Sequence, residues 1–466
     1  MKNLKFVSAL YVAVFVASVS GLLRATATPP PPTEAPAGVD NLTADPVTSP
    51  QAQHVADEAT FAEQEGIADG LGPVFNARSC ANCHQQPVTG GISQVNELRA
   101  GSISGGVFTP ATVTVNRFGS GGPVTIAARS LINQEAICQA VIADAAGLPT
   151  FNFPNTDMHE RLGPGAASDD AIRSVRTTTN ILGDGFVEVV ADSTLTGITA
   201  AQRATNPLTV GVPFHPAGSH GVNLSAGENT VVDLQERPGR TRIGRFGWKA
   251  QFGSLVGFAG GAYLNEMGVT NRIFPHEVTG DGVLCDTIAD PEDTDDDVTT
   301  FARFMRTTKP QSRDAGVAAT SDAQAGSALF DKAGCSFCHT RTMVTAPAGT
   351  TLVGVDNSFT PGTDLVVSAA MGNKIIHPFS DFALHDVFPD FIGDTQTGGA
   401  PISFLKTRTA PLWGVRFRNQ MMHDGSAEGP VEAILKHGGE AEFAQKNFLV
   451  MTDAQKKQLI EFLRSL

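Results

Sequence analysis

The chain is short of positive charge. It has 33 Lys and Arg against 47 Asp and Glu, giving a formal net charge of −14 at pH 7. Such a balance argues against nucleic acid or an anionic membrane surface as partner, since both need a basic face. It favours docking to a partner whose own face is basic. Beyond the first two dozen residues no apolar run reaches spanning length, which excludes stable membrane insertion of the body. Gly105-Gly106 and Gly119-Ser120-Gly121-Gly122 lack the lysine of a phosphate loop and read as turns. Cysteine is also scarce. Of six in all, four lie in two Cys-x-x-Cys-His signatures, so no Cys-x-x-Cys remains for a zinc tetrahedron or a dithiol redox centre.

The signatures are Cys80-Ala81-Asn82-Cys83-His84 and Cys335-Ser336-Phe337-Cys338-His339. The spacing is that of c-type haem attachment: two thiols add across the vinyl groups and the adjacent histidine ligates iron. Cys80, Cys83, Cys335 and Cys338 are therefore expected to hold two covalent haems. His84 and His339 are the expected proximal ligands. Cys138 and Cys285 remain, and a disulfide between them is expected in an oxidising compartment.

The N-terminus agrees with export. Lys2 and Lys5 precede an apolar stretch from Phe6 to Leu23, and Ala25-Thr26-Ala27 offers small residues for cleavage. Residues 1–27 read as a signal peptide and the protein as periplasmic. Loss of that leader removes three basic residues and no acid. Residues 28–50 read as a Pro-rich linker, flexible or extended.

A weak internal repeat divides the rest. Phe75 and Phe330 each stand five residues before their motif, at the end of a helix-like stretch. Arg176-Thr177 and Arg408-Thr409 follow much later. The expectation is an N-terminal haem domain over 51–300 and a C-terminal cytochrome c-like haem domain over 301–466. The fold class expected is mainly α, with long irregular loops and a few short strands. Strands are expected at Val113–Val115 and Val124–Ile126, and a helix at 135–146. Thr452 and Gln455 signal a capped final helix whose stripe Leu459, Ile460, Phe462, Leu463 and Leu466 faces the core. The acidic run 290–297 reads as a solvated loop. Its alternative is a calcium site, although EF-hand spacing is missing.

Together these residues resemble the bacterial di-haem cytochrome c peroxidase superfamily. The nearest branch is that of the di-haem oxidoreductases, also labelled thiol oxidoreductases, a label that gains nothing from the cysteines here. Arg408-Thr409-Ala410-Pro411-Leu412, His423-Asp424-Gly425 and the run Val431–Lys436 carry the resemblance in the second domain. It implies that His437 stands where the family places the sixth iron ligand, usually methionine. His385, in Ser380–Asp386, is implied to support that haem, with ligation as its competing role. In the first domain Trp248, Ser254-Leu255 and Leu264-Asn265-Glu266-Met267 follow the family's order. Trp248 is thereby implied as the electron bridge and Glu266 as the acid–base residue facing peroxide. Departures are the missing histidine over 85–103 and Val256 where the family has glutamine. The first haem is then either five-coordinate and open or takes a remote ligand, with His159, His215, His220, His276 and Met267 as unranked candidates. The implied activity is peroxide reduction at the N-terminal haem, fed through the C-terminal haem by a small soluble cytochrome or copper protein. The alternative is a di-haem electron-transfer cytochrome without catalysis. A third is a maturation enzyme that oxidises residues on another protein.

Overall fold

Each attachment motif sits beside a pair of packed helices. In the C-terminal part Ser321–Ala333 packs against Asp453–Arg464. The first is started by the Thr320 hydroxyl, which accepts the Ala323 N–H, and stopped by Gly334 in the left-handed region at φ 92°. The second starts with the expected capping box, Thr452 with Gln455. Leu459, Phe462, Leu463 and Leu466 are buried against Leu329 and Phe330. The helices approach so closely at Gly326 that a β-carbon there would meet the Gln458 carbonyl oxygen at 1.9 Å.

The N-terminal part repeats this plan with distant segments. Gln51–Ala62 packs against Asp297–Thr307. His54, Asp57 and Phe61 form its buried face. His54 Nδ1 lies 2.8 Å from Thr307 Oγ1, and Arg303 pairs with Asp57. Arg306 donates to the buried Glu188 carboxylate at 2.6 and 3.1 Å, tying the second helix to Asp184–Glu188.

The computed structural model describes residues 30–104, 107–110, 113–115, 124–126, 130–137, 142–143, 149–150, 161–162, 171–205, 226–278, 286–387 and 406–466. The leader, Cys138, Cys285, His159, His215 and His220 lie outside them. Among the described residues no helix is long and apolar enough to cross a membrane. Residues 33–50 lie against the body. Thr33–Glu34 pairs in parallel with Lys374–Ile376, and Ala44, Asp45 and Ser49 are buried.

The mainly α expectation is overturned. The chain is mixed, with several small sheets among its helices. Asn96–Ser104 pairs antiparallel with Ala171–Thr177, Val107–Pro110 and Leu131–Ile132. Thr351–Asp356 pairs with Asp364–Val366. These segments are rich in Val, Ile and Thr, which suit a pleated surface, and Gly and Pro between them interrupt helix. Val113–Val115 and Val124–Ile126 do form strands, paired with each other. The helix expected over 135–146 is absent from its described residues. Glu135–Ala136 pairs instead with Val74–Phe75, and Ile142–Ala143 with Pro149–Thr150. Phe75 accordingly ends a strand and not a helix.

Candidate functional site

Two voids open beside the motifs, one at the C-terminal motif and one at the N-terminal. The C-terminal void is walled largely by apolar groups, among them Leu412, Val415, Ala433, Ile434, Leu459 and Leu463. Cys335, Cys338 and His339 line it, and so does His437. The His339 and His437 ring centres are 6.5 Å apart. Two imidazoles sharing one metal at about 2.0–2.1 Å per bond place their ring centres roughly that far apart. His339 Nδ1–H donates to the Phe379 carbonyl at 2.8 Å, and His437 Nδ1–H to that of Ala433 at 2.7 Å. Those bonds make Nε2 the lone-pair nitrogen of each ring, as in a metal-ligating histidine oriented by its backbone partner. Burial pushes His339 down to about 4 and lowers His437 as well, so both stay neutral. An apolar slot, two thiols at its edge and two facing imidazoles fit a bis-histidine c-type haem.

His385 is engaged otherwise. Its Nε2 lies 2.9 Å from Asp381 Oδ2 and its Nδ1 2.9 Å from Glu440 Oε2. Burial opposes its charge, but the Asp381 carboxylate favours it, and the ring is raised above its ordinary value. An imidazolium held between two carboxylates has no lone pair for iron, so the supporting role suits it and ligation does not.

At the N-terminal motif the Ser79 hydroxyl accepts the Asn82 N–H and starts the short Cys80–Cys83 turn. His84 Nδ1–H donates to the Gly91 carbonyl at 3.1 Å, and burial pushes its ring down to about 4. The void beside it carries charged groups among its walls. Cys83, His84, Glu97, Arg99, Arg176, Trp248 and Glu266 all line it. Glu266 projects from a single π-helical turn, Tyr263–Met267, that continues Leu255–Ala262. Such turns insert one extra residue and re-aim side chains. Asn76 Nδ2 donates to Glu266 Oε2 at 2.8 Å.

Glu266 and Glu97 face one another in the void, and each shifts the other's proton affinity. Burial and the Glu97 charge raise Glu266. Burial works against Glu97 too, but Arg99 and Arg176 hold it low. Arg99 binds both Glu97 oxygens at 2.9 and 3.0 Å, and Arg176 stands opposite Glu97 in the strand register. A proton therefore resides on Glu266. Glu97 and Arg99 escaped the sequence reading, and Arg176 entered it only as part of a repeat. Their signal was present as Glu97-x-Arg99, two residues on one face of a strand.

Trp248 lines both voids. Its Nε1–H donates to the Thr177 carbonyl at 2.7 Å, and its ring centre is 6.4 Å from that of His423. Thr177 N–H in turn donates to the His423 carbonyl at 2.7 Å. Met267 is buried beside His84 along a smaller apolar void. In the acidic run, Asp293 accepts the Asp297 and Val298 N–H groups and so caps the helix behind Phe61.

The family model described as "Di-haem oxidoreductase, putative peroxidase" matches residues 165–466. Comparison with the curated proteins finds no match. Among solved structures the chain is similar to Kuenenia stuttgartiensis hydrazine synthase pressurized with 20 bar xenon, at 12% identity and a TM-score of 0.35, over 98% of this chain and 100% of that one. At that score the likeness carries no inference about this chain.

Proposed function

The chain belongs to the di-haem oxidoreductase family, and from that premise we propose that it is an exported enzyme that reduces peroxide beside the N-terminal motif with electrons received at the C-terminal one. Cys80, Cys83 and His84 would hold one c-type haem, and Cys335, Cys338, His339 and His437 the other. When bound, the two haems supply one-electron redox chemistry and a Lewis-acidic centre for peroxide. Reduction of hydrogen peroxide to two waters consumes two electrons and two protons.

The polypeptide manages the protons. Glu266 offers its proton to the oxygen that leaves and recovers one from solvent. Glu97, kept ionised by Arg99 and Arg176, holds that proton on Glu266 at neutral pH and fixes its direction. Asn76 restrains Glu266 Oε2. A buried carboxyl with a raised pKa is suited to donating a proton near pH 7. Trp248, an oxidisable indole reaching both voids, is the bridge between the two centres. The donor is a small soluble cytochrome or copper protein meeting a weak interface.

One observation carries this reading: His84, Glu266, Glu97 and Trp248 line one void, and Trp248 also lines the other. The test is steady-state oxidation of a reduced small cytochrome by hydrogen peroxide. Two donor equivalents oxidised per peroxide are expected. Two haems that reduce and reoxidise with no peroxide-dependent turnover would identify a carrier instead.

A further inference from the structure

Four carboxylates converge at a place that neither motif void includes. Glu277, Asp286, Asp290 and Glu292 each bring an oxygen within 4.8 Å of the others. Two are anchored by Thr270. Its N–H donates to Glu292 Oε2 at 2.9 Å, and its hydroxyl donates to Asp290 Oδ1 at 2.8 Å. Glu277 is different. It is 7% exposed, and its carboxylate oxygens meet no N–H or hydroxyl donor, their one hydrogen-bonding neighbour being Asp286, another acid of the cluster. Its electrostatic neighbours are Glu292, Asp286 and Asp290, all acids.

A buried carboxylate without a donor, facing three more, is strongly unfavourable unless something positive stands among them. Protons are one remedy, and burial, with the neighbouring acids adding to it, raises Glu277 to about 10 and Glu292 to about 8. A cation is the other. The donor set is all oxygen and mostly anionic, which selects hard ions over zinc or copper. The oxygens come from loop residues in irregular array. Calcium accepts that, with six to eight oxygens and carboxylates bound through one or both atoms, whereas magnesium demands a near-ideal octahedron.

We propose that Glu277, Asp286, Asp290 and Glu292 bind one calcium ion. The ion would tie residues 286–292 to the Thr270–Glu277 segment. Thr270 lies four residues beyond Glu266, and Gly72 N–H donates to the Met267 carbonyl at 3.0 Å between them. A filled site therefore braces the chain just behind the candidate proton donor. The proposal stands apart from the peroxidase reading, since calcium uptake is measured without turnover.

The test uses the haem-loaded protein, stripped with a chelator and titrated with calcium by calorimetry, with metal counted by mass spectrometry. One calcium per chain and a higher unfolding temperature are expected. Glu277→Gln and Asp286→Asn should each lose about tenfold or more in calcium affinity. Stripped variants should unfold no earlier than stripped wild type, because each removes like-charge repulsion, and that separates lost binding from lost folding. Terbium luminescence on the wild-type protein, displaced by calcium, gives a measure that needs no variant. Failure of the stripped wild type to take up calcium at millimolar concentration would overturn the proposal. So would unchanged affinity in the double variant, or magnesium binding as tight as calcium.

Discussion

The two motif regions share a frame and differ in what faces the histidine. In both, a Phe from the leading helix tilts over the motif histidine: Phe61 lies 6.0 Å from His84 and Phe330 lies 6.3 Å from His339, at 60° and 57°. In both, a Phe from the closing helix packs on the first: Phe304 at 4.9 Å from Phe61, Phe462 at 5.3 Å from Phe330. Beyond that frame they diverge. The C-terminal void is apolar and presents a second imidazole. The N-terminal void presents a proton on Glu266, a fixed carboxylate and two guanidinium groups. On the proposed reading one frame serves two tasks, electron entry where the walls are apolar and proton delivery where they are charged.

The largest expected effect comes from removing the proton. Glu266→Gln should lower peroxide turnover by roughly 10²–10⁴-fold, the usual worth of a positioned acid–base group. Haem content and the C-terminal haem spectrum should not change. Equal turnover in that variant would erase the proposed difference between the regions. Next is the imidazole pair. His437→Met should raise the reduction potential of the C-terminal haem, because thioether ligation favours the reduced iron. Redox titration reads the shift, and an unmoved potential would place the sixth ligand elsewhere.

Smaller effects sharpen the contrast. Trp248→Phe should slow electron passage between the haems several-fold in stopped-flow traces, with both spectra intact. Glu97→Gln should move the alkaline limb of the pH–rate profile to lower pH. The sign follows from the carboxyl pair. Glu266 is raised, so the rate carried by its protonated form is present at low pH and lost as pH rises through that raised value. Without the Glu97 charge, Arg99 and Arg176 face Glu266 directly and pull its proton off sooner. An unshifted limb would remove Glu97 from the proton chemistry.

Contiguous signals were legible in the sequence. The two Cys-x-x-Cys-His motifs, the Thr452 capping box and the stripe from Leu459 to Leu466 each lie within a few residues, where spacing alone determines geometry. Trp248, Glu266 and His437 became visible through resemblance in the order of segments. What the sequence hid depends on distant pairing. The Phe75 and Phe330 repeat looked like the matching pair, yet Phe61 is the counterpart of Phe330, because the first motif follows a loop and a strand. Likewise Glu97 meets Arg176 only through a strand register that joins two segments far apart in the chain. The π-helical turn that aims Glu266 adds a residue that periodicity does not register. The mainly α expectation failed partly for the same reason: Asn96–Ser104 and Val74–Phe75 find strand partners far along the chain.

The most direct test of this division is electron paramagnetic resonance on the mature protein, fully oxidised and after reduction by one electron. A low-spin signal from the His339–His437 site is expected in the oxidised state, and a high-spin iron at the His84 site in at least one of the two states. Two low-spin irons in both states would contradict a catalytic N-terminal centre.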